Sequence, residues 1–184
     1  MSRLTLHTLA SAPEASQPFV ERAIAANGFL PNLIGVLANA PVALETYLTV
    51  AGINARSSLT LAEREVVQIT AARIHGCDFC VAGHTAVALK KAGISIDSVR
   101  ALQHGTPLDD ARLEALRRFA GAAIATRGKV VQQDYDAFTS AGYNQAQALE
   151  VLLGISLATL CNFANSLAGT PVNPELQPYL EGAI

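Results

Sequence analysis

Tryptophan is absent, methionine occurs once, and aromatic residues make up only 5% of the 184 positions. Charge is also scarce: charged residues account for 15%, with thirteen Lys and Arg against fifteen Asp and Glu, a net charge of −2. Such a balance offers no basic field to attract nucleic acid or an anionic membrane, so neither is an expected partner. No run reaches the ~18 uninterrupted apolar residues of a membrane span. The most apolar stretch, Val151 to Ala164, is broken by Ser156, Thr159 and Asn162 and reads as a core helix. Near the N-terminus, Thr5, His7, Thr8 and Ser11 stand where a signal peptide carries an unbroken apolar segment, which favours a cytoplasmic protein. Three cysteines are too few and too unevenly placed for a disulfide scaffold, so Cys77 and Cys80 read as chemistry.

What is present is apolar. Hydrophobic residues make up 51% and mean hydropathy is +0.30, an ordinary globular composition tilted toward burial and away from disorder. The length argues for one domain over residues 1–184, with 1–15 and 171–184 as irregular termini. Apolar spacing of period 3.6, closed again and again by Gly or a Pro-containing turn, predicts an all-α fold. Helices are expected at Gln17 to Ala26, Leu33 to Ala38, Pro41 to Ala55, Leu61 to His75, Cys77 to Lys91, Ile96 to Gln103, Asp109 to Arg127, Gln132 to Ala141 and Gln145 to Leu167. Thr60-Leu61-Ala62-Glu63 fits a capping box, and Gly76 stands where a C-terminal cap requires positive φ.

Chemistry concentrates in Glu65 through His84. On a continuous helix Cys80 lies about 60° around from Cys77, and His84 about 20° from Cys77 and about 40° from Cys80, so all three share a face. The unsatisfied amides of a helix N-terminus favour thiolate over thiol there. His84, one turn after Cys80, is placed to take the thiol proton, which makes Cys80 the better attacking sulfur. Glu65 sits on the preceding helix. In an antiparallel hairpin its carboxylate approaches His84 with an axial offset of roughly 6 Å, directly or through a water.

Other readings compete. The two thiols, His84 and Glu65 lack the second ligand pair usual for zinc, so no metal is expected. Val81 follows Cys80 where covalent haem attachment requires His, and no cofactor is expected either. Two inert buried cysteines, or Glu65 in an ion pair with Arg64 or Arg73, remain alternatives. His75 reads as a cap for its helix's last carbonyls, and Cys161 as a small core residue without a partner. Tyr47, Tyr135 and Tyr143 carry no positional signal.

Leu59-Thr60-Leu61-Ala62-Glu63-Arg64-Glu65 leading into Gly76-Cys77-Asp78-Phe79-Cys80-Val81-Ala82-Gly83-His84-Thr85 resembles the AhpD-like alkylhydroperoxidase branch of the carboxymuconolactone decarboxylase family. The likeness extends more loosely upstream through Pro31 to Asn39 and downstream through Gly142-Tyr143, Asn162 to Asn165 and Gly169 to Val172. It implies an AhpD-like helical bundle and a homo-oligomer, trimer or hexamer. It also implies a cycle in which Cys80 attacks an organic hydroperoxide, Cys77 resolves the sulfenic acid, His84 and Glu65 relay protons, and a dithiol or protein reductant reopens the disulfide. Phe79 stands where some relatives have His. The alternatives are a disulfide reductase or adaptor serving a separate peroxidase, a non-catalytic oligomeric scaffold with vestigial cysteines, and a decarboxylase of carboxylated lactones.

Overall fold

The computed structural model describes residues 2–184; Met1, the first residue of the expected irregular N-terminus, lies outside them. Among the described residues there are nine α-helices and no strand: α1 (Gln17–Asn27), α2 (Asn32–Leu37), α3 (Pro41–Asn54), α4 (Leu61–Ile74), α5 (Asp78–Lys90), α6 (Ile96–His104), α7 (Ala111–Thr126), α8 (Gln132–Ser140) and α9 (Gln145–Ala168). Short 3-10 turns at Glu14–Ser16 and Gln177–Tyr179 punctuate the otherwise irregular ends.

The helix that positions the site is α4. Its start is the expected capping box: the Glu63 N–H donates to Thr60 Oγ1 at 3.2 Å, and the Thr60 N–H donates to Glu63 Oε2 at 2.7 Å. Its end is a Schellman turn. Gly76 adopts φ +69°, its N–H bonds the Arg73 carbonyl, and the Cys77 N–H reaches back to the Ala72 carbonyl at 2.9 Å. Only glycine takes that conformation without strain, and it turns the chain straight into α5. The two helices then pack side by side, with α7 and α9 also against α4.

Two apolar clusters fill the interior. One gathers Val66, Val67 and Ile69 of α4 with Leu102, Leu116 and Phe119, and includes the stack Phe119–Phe138–Tyr143, whose centroid separations are 4.2 and 4.5 Å. The other joins Val20, Leu33, Ile34, Leu37 and Leu44 of α1–α3 to Ala72, Phe79, Cys77, Cys80 and Cys161. The cysteines therefore sit inside a core.

Helix α9 has the length and composition of a membrane span, yet one face is buried in the bundle, including Val151, Gly154, Ala158, Asn162 and Asn165. Gly154 sets its approach to α4. A Cβ there would meet Val67 Cγ1 at 3.2 Å, and the Gly154 carbonyl accepts from Gln68 Nε2 at 2.9 Å. Two turns later the same face delivers Cys161 to the site.

Candidate functional site

The Schellman turn leaves Cys77 as the N-cap of α5, with φ −106° and ψ 88°. These are not helical angles, so the expectation that Cys77, Cys80 and His84 share one helix face is corrected: the helical angular rule begins only at Asp78. Cys80 and His84, one turn apart on α5, both line a cavity of about 660 Å³ together with Tyr47, Phe79 and Cys161. Cys77 opens on a separate recess of about 430 Å³, beside Arg73, Asp78, Gln103 and Glu181.

Glu65 is buried and bonded directly to His84, Nδ1 to Oε2 at 2.7 Å. The hairpin of α4 and α5 thus closes the offset expected from sequence, with no intervening water needed, and the ion pair of Glu65 with Arg64 or Arg73 does not form. The bond has a clear tautomeric consequence: with the carboxylate accepting from Nδ1–H, Nε2 is the free ring nitrogen. Burial pulls the imidazole's pKa down, but the charge of Glu65 and its hydrogen bond outweigh that pull, with Cys77 adding, and the net direction is up.

All three cysteines are buried and free. The reading of Cys161 as a core residue without a partner is corrected: its Sγ lies 3.9 Å from Cys80 Sγ, which donates toward it. Asn165, one turn after Cys161 on α9, donates its side-chain amide to Cys80 Sγ at 3.3 Å and to Cys77 Sγ at 3.7 Å. The expected thiolate at the start of α5 is also corrected. The hydrogen bond to Cys161, burial and the charge of Cys161 push the Cys80 thiol up to about 12, although Cys77 and Asn165 act the other way. Cys77 is raised further, by its hydrogen bond with Cys80, by burial and by the charge of Cys80. Each sulfur shares its low-dielectric surroundings with another, and these opposing effects outweigh the help of the helix terminus.

Tyr47 and Asn165 are the site residues that sequence reasoning missed. Tyr47 lines the cavity from α3, and burial together with the charges of Cys161, Cys80 and Glu65 raises its phenol above the ordinary range. A signal for Asn165 did exist: an amide interrupting the apolar pattern of α9, four residues from Cys161 and so on the same face. The buried Asn165 Oδ1 has no hydrogen-bond partner among the described residues. His75 does not cap α4 with its ring, as expected from sequence; instead its Nδ1 meets Asn162 Oδ1 at 2.9 Å and the ring packs edge-on against Phe163. Phe79 contributes apolar wall where a second imidazole would make the site more polar. Among the described residues no group of three or more His, Cys, Asp or Glu is arranged to hold a metal.

Residues 41–122, from the start of α3 into α7, match the model of the carboxymuconolactone decarboxylase family. No curated protein matches the sequence. Among solved structures, an AhpD-core, peroxidase-related protein of uncharacterised function from Ralstonia eutropha JMP134 superposes with a TM-score of 0.85 at 20% identity, covering 100% of this chain and 97% of the other. A second peroxidase-related protein, from Silicibacter sp. TM1040, gives 0.79 at 20% identity over 98% of this chain and 93% of that one. A Cys-to-Ala variant of the debrominase Bmp8 in complex with 2,3,4-tribromopyrrole gives 0.79 at 16% identity, covering 100% and 98%. At these identities the likeness establishes the fold: the chain is an all-α, AhpD-like bundle with its CxxC pair at the start of a helix. Together with the family match it supports the resemblance to the AhpD-like branch read from the sequence.

Proposed function

We propose that the chain is a cytoplasmic thiol peroxidase that reduces organic hydroperoxides through a dithiol–disulfide cycle. The observation that carries this reading is Cys80 on the wall of an apolar cavity, one helical turn from a histidine whose other nitrogen is held by a buried glutamate. Cys80 Sγ attacks the outer oxygen of ROOH; the S–O bond forms as the O–O bond breaks. The thiol proton passes to His84 Nε2 and from there to the departing alkoxide, giving ROH and a Cys80 sulfenic acid. Cys77 then displaces hydroxide from that sulfur, water leaves, and the Cys77–Cys80 disulfide is reopened by an external dithiol or protein reductant. His84 and Glu65 act here as the proton relay.

The test is anaerobic mixing of the reduced protein with cumene hydroperoxide. The expected result is loss of two thiols per chain with one equivalent of alcohol released, and no reaction in Cys80→Ser. Oxidation no faster than that of a simple thiol, combined with rapid disulfide exchange, supports the adaptor reading and overturns the peroxidase.

A second reading rests on the likeness to Bmp8 and on the aromatic side chains of the cavity, Phe29, Phe79 and Tyr47, which line it together with Cys80. The same dithiol would remove halogen from an electron-rich aromatic ring, ArBr and two thiols yielding ArH, a disulfide and HBr. A brominated pyrrole in place of the hydroperoxide separates the two by bromide release.

Assembly into a homo-oligomer belongs to the same reading. Leu149, Leu152, Phe163 and Leu167 form an exposed apolar stripe along α9, the kind of surface that a further copy covers. Light scattering should give three or six times the 19.3 kDa chain mass. A Phe163→Lys substitution in the stripe should lower that mass, and a wild-type mass of 19.3 kDa refutes the assembly.

A further inference from the structure

We propose that Cys161 is a third redox thiol of this site, able to close a disulfide with Cys80 in place of Cys77. The inference rests on the reading of Cys80 as the oxidised sulfur and adds a second route by which that oxidation is resolved. Cys80 and Cys161 both line the main cavity, whereas Cys77 opens on the other recess. A sulfenic acid formed on Cys80 from the cavity side therefore has Cys161 as its thiol neighbour within the same space. The two Sγ atoms stand 3.9 Å apart and already share a hydrogen bond. Closing to the ~2.05 Å of a disulfide requires the two sulfurs to approach by about 2 Å.

The surroundings suit the reaction. Asn162 donates its amide toward Cys161 Sγ at 3.7 Å, and Asn165 donates toward Cys80 Sγ at 3.3 Å, so both sulfurs have a donor able to stabilise developing negative charge. Both thiols are buried, 2% and 3% exposed, which disfavours competition by bulk thiols. The step balances: Cys80–SOH and Cys161–SH give the Cys80–Cys161 disulfide and water, with the S–O bond broken, the S–S bond formed, and the Cys161 proton leaving with the hydroxide. It diverts Cys80 from further oxidation to sulfinic acid when Cys77 is not positioned to respond.

The test uses full-length Cys77→Ser and the double variant Cys77→Ser/Cys161→Ser. Each is treated anaerobically with one equivalent of cumene hydroperoxide in the presence of dimedone. Cys77→Ser is expected to lose about 2 Da, the mass of two hydrogens, and to yield a peptide bridge between positions 80 and 161. The double variant is expected to carry dimedone on Cys80 at least ~10-fold more heavily. Equal dimedone labelling in the two variants, with no bridge, overturns the inference. If wild type and variants alike fail to consume hydroperoxide, the peroxidase reading has failed instead, and diamide oxidation of Cys77→Ser decides the pairing. A bridge from 80 to 161 under diamide retains Cys161 as a redox partner, and its absence removes it.

Discussion

Replacing Glu65 by Gln removes one charge and almost no volume, and it isolates what the carboxylate does for His84. A hydrogen bond to a charged group contributes about 1.5–3 kcal/mol and a neutral one about 0.5–1.5 kcal/mol, so the loss is about 1–2 kcal/mol. The His84 side chain is 27% exposed, and screening places the effect toward the lower end. For a chain of this length each kcal/mol lowers Tm by about 2–4 °C. The sign with pH follows from the raised His84 pKa. The stabilisation is fully present below the ordinary histidine value of about 6.5 and is lost as pH rises through the elevated folded value. Urea unfolding should therefore show the largest gap between wild type and Glu65→Gln near pH 6, closing toward pH 9. Histidine-selective NMR on the four histidines checks the cause: without the Glu65 charge, burial is opposed only by the smaller effect of Cys77, and the His84 titration should move down. An unmoved His84 titration with a gap independent of pH refutes the reasoning.

Asn165→Leu should slow oxidation by hydroperoxide about tenfold while costing less than ~1 kcal/mol in stability, because Asn165 Oδ1 already lacks a partner; stopped-flow thiol loss and thermal melts read the two effects. Gly154→Val should destabilise the fold by about 1–3 kcal/mol by crowding Val67 and Gln68, measured as a lower urea midpoint. Thr60→Ala should lose about 1 kcal/mol through the α4 cap with no change in His84 titration, which separates general stability from the relay.

The helices were legible because their stops are local. Capping boxes, Gly76 and prolines at first helical positions act within a few residues, and the expected boundaries fall close to those observed. The Thr60–Glu63 box placed Glu65 on α4, and the spacing from Gly76 brought Glu65 opposite His84. Local rules failed where the outcome depended on a different helix. Cys161 stands 81 residues from Cys80, and the packing of α9 against α4 and α5, close at Gly154, brings their sulfurs together. Tyr47 gains its position from α3 packing against α9, which no short window of sequence encodes. The expectation of a primed thiolate failed for a related reason: the helix terminus was visible in the sequence, whereas the burial and the third sulfur that oppose it were not.

That failure constrains how the site can work. With the Cys80 thiol pushed up to about 12, the resting thiolate fraction at pH 7 is very small. A mechanism that waits for free thiolate is slowed by that scarcity, whereas removal of the proton during attack is not. His84 is the group placed for this, since Glu65 occupies Nδ1 and leaves Nε2 available. The rate of hydroperoxide reduction should accordingly rise as pH passes through the raised His84 titration and level off well below the thiol's own. In Glu65→Gln the inflection should move to lower pH, because His84 loses the charge that holds its proton, and the plateau should fall about tenfold with the weaker base. A rate that instead climbs without inflection toward pH 12, unaffected by Glu65→Gln, means that thiolate formation alone controls the chemistry and that the histidine–glutamate pair is structural.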